Sequence, residues 1–557
     1  MRKLAALFMI CAAAAVLVGA LGTGDAAAKA KEKKVEPPAK TILFIPHDNR
    51  PISDKQTAAV VRELGYEVIV PPDDMLGSRT DIGHPDALWE WVEANIGRAK
   101  AAVIASDSML YGSLVGSRKH EETQEDILRR VARFRELKQK NLGTPLYVFG
   151  SIMRTPRSGE ASGTEEPAYY RNYGADIFRY TALKDKQEME GLNRREQKEY
   201  KFLEELIPQK SLDDWMSRRS KNFVANKALI DLTRKDVLSY FLLGRDDNAP
   251  YSQTHLESRK LQEYSAGLGA SKYQSMAGID ESAMLLLTRA VNNMEHDVPF
   301  IHVKYNVGSG PKTIPAYSDE TVDASVRAAI AAAGAMLVNA PEKADFLLAV
   351  NTNPNGKTYE ANTPMNDGKK RDGTDSFLRI VEGFLAEGRP VGIADIAYAN
   401  GSDNAMMDEL KKRGLLFKLR AYSGWNTPTN STGFVIGEGI LANRMNDDSR
   451  DRLLLARYLD DWAYQANIRT SIARQLGWLR GSGAYSNIDD KMLGIVYRAE
   501  RLMREFADEN LPPFSSLHRI EVRFPWNRMF EADIILGDSD RHYDLLDTDK
   551  RFFIKKK

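Results

Sequence analysis

From Thr41 onward the chain alternates short apolar runs with stretches of helical spacing. TILFIPHDNR, VIVPP, AAVIASDSMLYG, PLYVFGSIMR and YFLLGRDDNA are strand-like, and segments such as DALWEWVEANI and ETQEDILRRVARFRELKQK follow them with apolar residues three and four apart. A half-exposed strand alternates apolar with polar residues, so continuous apolar runs predict parallel strands buried on both faces. The predicted class is α/β. FIHVKYN, ADFLLAVN, PVGIADIAY and KLRAYSGWN extend the pattern, with helices such as TDSFLRIVEGFLAEG between them. The strand count is compatible with a (β/α) barrel-like domain over residues 41–310, with a charged helical insertion at 180–238, then a smaller α/β domain over 311–447. From Asp448 long amphipathic helices take over and predict a helical C-terminal module over 448–557, ending in the extended segment HRIEVRFPW.

The N-terminus reads differently. Arg2 and Lys3 precede an apolar run from Leu4 to Leu21, and Ala26, Ala27, Ala28 and Ala30 follow. That order predicts a secretory signal peptide over residues 1–30 and a solvated linker over 31–40. An uncleaved anchor is the alternative, because the run is just long enough to span a bilayer. The expectation is an extracytoplasmic, secreted protein with no stable membrane insertion after cleavage. Cys11 is the only cysteine, so the mature chain would have neither a disulfide nor a catalytic thiol. With 78 Lys+Arg against 77 Asp+Glu, the chain lacks the basic excess of a nucleic-acid binder.

In parallel α/β folds ligands bind at the carboxyl ends of strands, where the following loops converge. Six predicted strand ends carry polar groups: Asp48, Asn49 and Arg50; Ser106 and Asp107, with Tyr111 beyond; Ser151 and Arg154; Asp246 and Asp247; Asp280 and Glu281; and Asp395, Asn400 and Asp403. Any one of these acids serves equally well as a helix cap. Their recurrence at successive strand ends is what suggests a shared site. Asp246 and Asp247 can project the same way only if the strand has already turned. Such pairs suit hexosaminidases that use the substrate's acetamido group as nucleophile, one carboxylate orienting that group and the other protonating the leaving oxygen. RDDNAP resembles the paired-aspartate strand end of those enzymes, and GIDES the Asp-Glu pair of a sister group. Trp89, Trp91, Trp215, Trp425 and Trp462 offer flat faces for sugar rings. In YSGWNTPTN, Trp425, Asn426 and Asn430 could form a platform with amide donors, or a core tryptophan with helix-capping polar groups.

FIPHDNRPI, SDSMLYGSLVGSR, FGSIMRTP, GRDDNAPY, AGIDESAMLLLTRA, IADIAYANGSD, YSGWNTPTNSTG and FPWNRMFE together resemble a bacterial family catalogued as domain of unknown function 4127. The resemblance runs from Thr41 to about Asp538 and implies one evolutionary unit, without an assigned reaction. Asp48, Arg50, Asp107, Tyr111, Arg154, Asp246, Asp247, Asp280, Glu281, Asp395, Asn400, Asp403, Trp425, Asn426 and Asn430 match its motif positions. The family usually has an aliphatic residue where His47 stands and often Gly where Ser113 stands, which places His47 below the acids as a candidate.

Other chemistries fit less well. VGSGPK lacks the spacing of a phosphate loop, the eight histidines show neither HxH nor HExxH, and GxSxG is missing. The expected function is an exported glycoside hydrolase, with a substrate-assisted hexosaminidase acting on amino-sugar-containing envelope polymer or glycan as its specific form. Asp246, Asp247, Asp280 and Glu281 are its catalytic candidates. Asp48, Arg50, Asp107, Tyr111, Arg154, Asp395, Asn400, Asp403, Trp425, Asn426 and Asn430 are its substrate-binding candidates. No cofactor is expected, and the partner is a carbohydrate. The alternatives are a metal-dependent amide or ester hydrolase, with Asp48, Asp107, Asp246 and Asp395 as ligands, and a non-catalytic carbohydrate- or envelope-binding protein.

Overall fold

The computed structural model describes residues 40–159, 164–475, 487–514 and 519–536. The leader expected at 1–30 and nearly all of the linker lie outside them. No helix among the described residues is long and apolar enough to cross a membrane.

Six parallel strands form the first sheet in the order β2-β1-β3-β4-β5-β6: β1 Thr41–Ile45, β2 Glu67–Ile69, β3 Ala101–Ala105, β4 Leu146–Ile152, β5 Tyr240–Arg245 and β6 Tyr273–Ala277. A second parallel sheet has the order β13-β11-β9-β7-β8, from β7 Phe300–Tyr305, β8 Met336–Leu337, β9 Phe346–Asn351, β11 Val391–Asp395 and β13 Ala421–Ser423. Interleaved with the strands of the second sheet in the chain, β10 Tyr359–Glu360 and β12 Tyr398–Ala399 form a short ladder of their own. The barrel expected over 41–310 is therefore replaced by an open sheet with β2 and β6 at its ends. A barrel and a doubly wound sheet use the same buried strands and the same crossover helices, and only long-range pairing separates them. β7 joins the second sheet, so the changeover lies between residues 277 and 300 and not at 310.

Alternate residues of each strand point to opposite faces, and the core divides accordingly. Ile42, Phe44, Val103 and Phe149 face one apolar cluster, while Leu43, Ile45, Ile104 and Val148 face another. The first cluster also takes Phe346, Leu348 and Val350 from β9, so one apolar layer joins the two sheets. Helices Ser282–Glu295, Val322–Ala332 and Pro428–Ala442 fill it. Glycines let the last of these helices approach closely. A Cβ on Gly437 would lie 2.7 Å from Met284 Cγ, and one on Gly439 only 2.1 Å from the Phe346 ring. Gly439→Ala is therefore expected to cost about 1–3 kcal/mol through overpacking. Urea denaturation checks it, and an unchanged midpoint would refute the close approach.

Among the described residues, helices Tyr170–Met189, Arg194–Leu206 and Gln209–Arg234 lie in the insertion between β4 and β5, the first of them starting ahead of the expected residue 180. At the C-terminal side, helix Asp447–Arg457 runs into a π-helical stretch, Tyr458–Ile468, and helix Met492–Asn510 packs against it. The late extended segment is half of an antiparallel pair, β14 Ile520–Arg523 with β15 Asp533–Leu536.

Candidate functional site

The carboxyl ends of both sheets open on one hollow. A cavity of about 280 Å³ is lined by Arg50 after β1, Arg154 after β4, Asp246 and Asp247 after β5, Asp280 after β6, Asn400 after β12, and Asn426 and Asn430 after β13. Leu114, Glu165, Tyr317, Arg528 and Phe530 also contribute to the wall. Residues up to 480 positions apart in the chain thus share one space.

Four cavity residues that are not glycine sit at positive φ: Asp247 at 28°, Tyr317 at 64°, Asn400 at 61° and Asn426 at 58°. Side chains seldom adopt this region, and such strain persists where surrounding contacts over-determine the backbone. Those contacts are present. Asn400 N–H donates to Asn426 O at 2.7 Å, and Asn248 N–H to Tyr317 O at 3.1 Å. The turn before Asn426 is held by the π-helical stretch, whose Asp461 Oδ2 accepts Gly424 N–H at 2.7 Å. Arg457 steadies Asp461 in turn at 3.2 Å. The C-terminal module also anchors the segment that closes the cavity, since Tyr464 donates to Met529 O at 2.6 Å and Gln465 to Phe530 O at 2.8 Å.

Asp280 is the most heavily solvated by protein. Arg50 donates to its two oxygens at 2.6 and 3.2 Å, Asn426 at 2.7 Å and Asn430 at 3.3 Å, while His47 Nε2 lies 3.1 Å away. Burial opposes its ionisation, but the Arg50 guanidinium and the His47 contact hold the carboxyl well below the usual carboxylate range. Asp48 is fully buried behind Arg50, accepts from its Nε at 2.9 Å, and so orients the guanidinium without reaching the cavity. Cation–π contact with Trp526, 5.2 Å from the guanidinium carbon, covers the other side of Arg50.

Asp247 is held differently. Burial and the neighbouring Asp246 charge push its carboxyl up to about 6, against the pull of Arg154, whose Nη1 is 3.2 Å from Oδ2. Asp246 accepts from Arg118 Nη2 at 2.6 Å. The guanidiniums around the cavity are all taken up by carboxylates: Arg118 by Glu165 at 3.1 Å as well as Asp246, Arg154 also by Glu166 at 2.7 Å, and Arg528 by Glu165 and Glu531. β5 ends at Arg245, so the turn needed for both aspartates to face one space lies just beyond the strand.

Glu281 does not belong to this wall. It is 1% exposed and wedged between two glycines: a Cβ on Gly278 would lie 2.1 Å from its Oε1, and one on Gly433 2.5 Å from its Cγ. Neither carboxyl oxygen has a hydrogen-bond partner among the described residues, and burial raises its proton affinity well above the ordinary value. Helix Ser282–Glu295 begins immediately after it, which turns Glu281 toward the inter-sheet layer while Asp280 faces the cavity.

Several other candidates are structural in place. Tyr111 is buried and stacks on His120 at 4.7 Å. Asp395 accepts from Asn351 at 2.9 Å, Tyr422 at 2.8 Å and Asp403 N–H at 2.7 Å. Asp403 caps helix Asn404–Lys412 by accepting Met406 N–H at 3.1 Å. Trp425 packs in the inter-sheet core, 6.3 Å from Phe530, and Trp89, Trp215 and Trp462 are buried as well. Four of the five expected tryptophan platforms are thus core residues, because an indole gains more from burial than from waiting in water for a ligand, and Trp91 is partly buried against the core and does not line the cavity. Glu165, Tyr317, Arg528 and Phe530 were not singled out as site residues, although FPWNRMFE already showed an arginine set among aromatics.

Asp107 is 2% exposed and stands behind the cavity, its Oδ2 without a partner among the described residues. Burial pushes its carboxyl up to about 7 from an ordinary 3.8. Between those values the folded protein holds a proton that the unfolded chain has released, so this group lowers stability by about 1.4 kcal/mol per pH unit as pH rises. Asp107→Asn removes that slope. Urea denaturation at pH 5 and pH 8 is expected to show the variant gaining on the wild type at the higher pH, and a constant difference would contradict the buried neutral acid.

Among the described residues no group of three or more His, Cys, Asp or Glu side chains is placed to hold a metal ion. Comparison with curated proteins gives no match. The profile of a family described as a protein of unknown function, DUF4127, matches residues 42–535. The chain belongs to that family. The DUF4127 match spans both sheets and reaches β15, so the segment carrying Trp526, Arg528 and Phe530 is part of the family unit and not an appendage.

Proposed function

We propose that this DUF4127 protein is an exported glycoside hydrolase acting on amino-sugar-containing glycan, with Asp247 as its general acid. The observation that carries the reading is the different surroundings of two carboxyls on one cavity wall: Asp280 is met by Arg50, Asn426 and Asn430, which favour its charged form, while Asp247 stands beside Asp246 and is held by Arg154, and burial and the neighbouring charge push its carboxyl up. Environments that separate two carboxyl groups in this way divide the roles of proton donor and fixed negative charge. Asp247 gives its proton to the leaving oxygen. Asp246, beside it and fixed by Arg118, accepts the N–H of a substrate acetamido group and turns that group's carbonyl oxygen toward the anomeric carbon. Asp280, surrounded by donors, is a poor nucleophile and serves instead to hold Arg50, Asn426 and Asn430 as a rigid wall against which hydroxyl groups are placed. The burial of Glu281 favours the 246/247 pair over the 280/281 pair as the working carboxylates.

A panel of 4-nitrophenyl glycosides, including the N-acetylglucosaminide, tests the reading with and without chelator. Nitrophenol release that survives the chelator is expected. Chelator-sensitive release would point to a metal-dependent hydrolase, and saturable binding of the glycosides without turnover to a carbohydrate-binding protein.

A further inference from the structure

Beyond the inner cavity lies a second of about 730 Å³, and Arg154, Asp247 and Tyr317 line both. Its charges are arranged in the opposite sense. Inside, each guanidinium is saturated by carboxylates, so no cation of the inner wall is left over for an anionic ligand. Outside, Arg157 and Lys357 are exposed, and neither side chain is ion-paired with a carboxylate among the described residues. Arg157 rests its guanidinium carbon 5.4 Å from the Phe178 ring, which leaves the fork's edges available. Tyr317 stands at the junction, its strained backbone fixed by Asn248 and its hydroxyl donating to Glu360 at 2.8 Å. Tyr359 lines the same outer space.

We propose that the outer cavity is a subsite for an anionic substituent of the glycan, on the leaving-group side of Asp247, with Arg157 and Lys357 as its counter-charges. This rests on the hydrolase reading for the position of the bond to be cut, but the binding itself does not. An anionic end entering first would find every inner guanidinium already paired with a carboxylate, whereas Arg157 and Lys357 are exposed in the outer cavity, so the placing of the counter-charges selects the orientation. The neutral acetamido ring is then placed inward, against Asp246 and Asp247. A carboxylate and a phosphate share the chemistry that two cations recognise, and the two sources are separable by the choice of probe.

Titration of the full chain with N-acetylglucosamine, N-acetylmuramic acid and N-acetylglucosamine 6-phosphate tests the proposal, because these free sugars bind without being cleaved. At least one charged sugar is expected to bind about 5-fold more tightly than the neutral one at low salt, the preference shrinking in about 0.5 M salt. The better of the two identifies carboxylate or phosphate as the natural group. In the double variant Arg157→Gln, Lys357→Gln the preference is expected to vanish while binding of the neutral sugar stays the same. Both side chains are exposed, so folding is not at risk. Equal affinity for all three sugars, or a preference that survives in the double variant, would overturn the subsite. A preference found together with an inert nitrophenyl panel would leave the subsite standing and remove only the proposed reaction.

Discussion

Asp247→Asn is expected to lower kcat by about 10²- to 10⁴-fold on a glycoside with a poor leaving group, while KM changes little. Asparagine preserves shape and the contact with Arg154 but cannot deliver a proton. The loss should be much smaller on a 2,4-dinitrophenyl glycoside, whose leaving group departs without protonation. That split separates a proton donor from a residue that merely shapes the cavity. The pH profile supplies a second readout. A carboxyl at about 6 is protonated below that value, so kcat/KM of the wild type should fall as pH rises through about 6, and the descending limb should be missing in the variant. Equal losses on both leaving groups would remove Asp247 from the role of acid.

The second large effect is on stability. Arg50→Ala should destabilise the fold by about 3–5 kcal/mol, because it leaves Asp48 and Asp280, both buried, without their common counter-charge. Urea denaturation at neutral pH measures it. The cost comes from stranded charge more than from lost contacts, so adding Asp280→Asn to Arg50→Ala should restore part of the stability. Arg50→Lys keeps the charge but cannot bridge both carboxylates through a planar fork, and is expected to fall between the two. A loss below about 1 kcal/mol for Arg50→Ala would mean that water or rearrangement satisfies the two acids.

The C-terminal helices acquire a purpose from the same contacts. Asp461, Tyr464 and Gln465 lie on one π-helical stretch and fix, respectively, the turn before Asn426 and the backbone at Met529 and Phe530. The module therefore holds the last part of the cavity wall in place, although none of these three side chains lines it. Widened helices of this kind recur near functional sites because they re-aim side chains relative to a regular α-helix.

Much of the site could be read from local pattern. Polar residues directly after buried apolar runs marked Arg50, Arg154, Asp246, Asp247, Asp280, Asn400, Asn426 and Asn430, and all of them line the cavity. The strand-helix alternation likewise marked the α/β class, since burial on both faces leaves a direct trace in consecutive residues such as those of TILFI and AAVIA. Closure and register left no such trace. Apolar runs of equal length serve a barrel or an open sheet, and the order of strands depends on contacts between distant segments. The same holds for Asp280 and Glu281, adjacent acids that local sequence cannot tell apart. One meets Arg50, Asn426 and Asn430 across the molecule and is held in its charged form, while the other is enclosed by Gly278 and Gly433, where burial raises its proton affinity. Residue type determined which groups were available for chemistry; tertiary structure decided which of them share a space and in what charge state, because proton affinity depends on neighbours that only folding brings within reach.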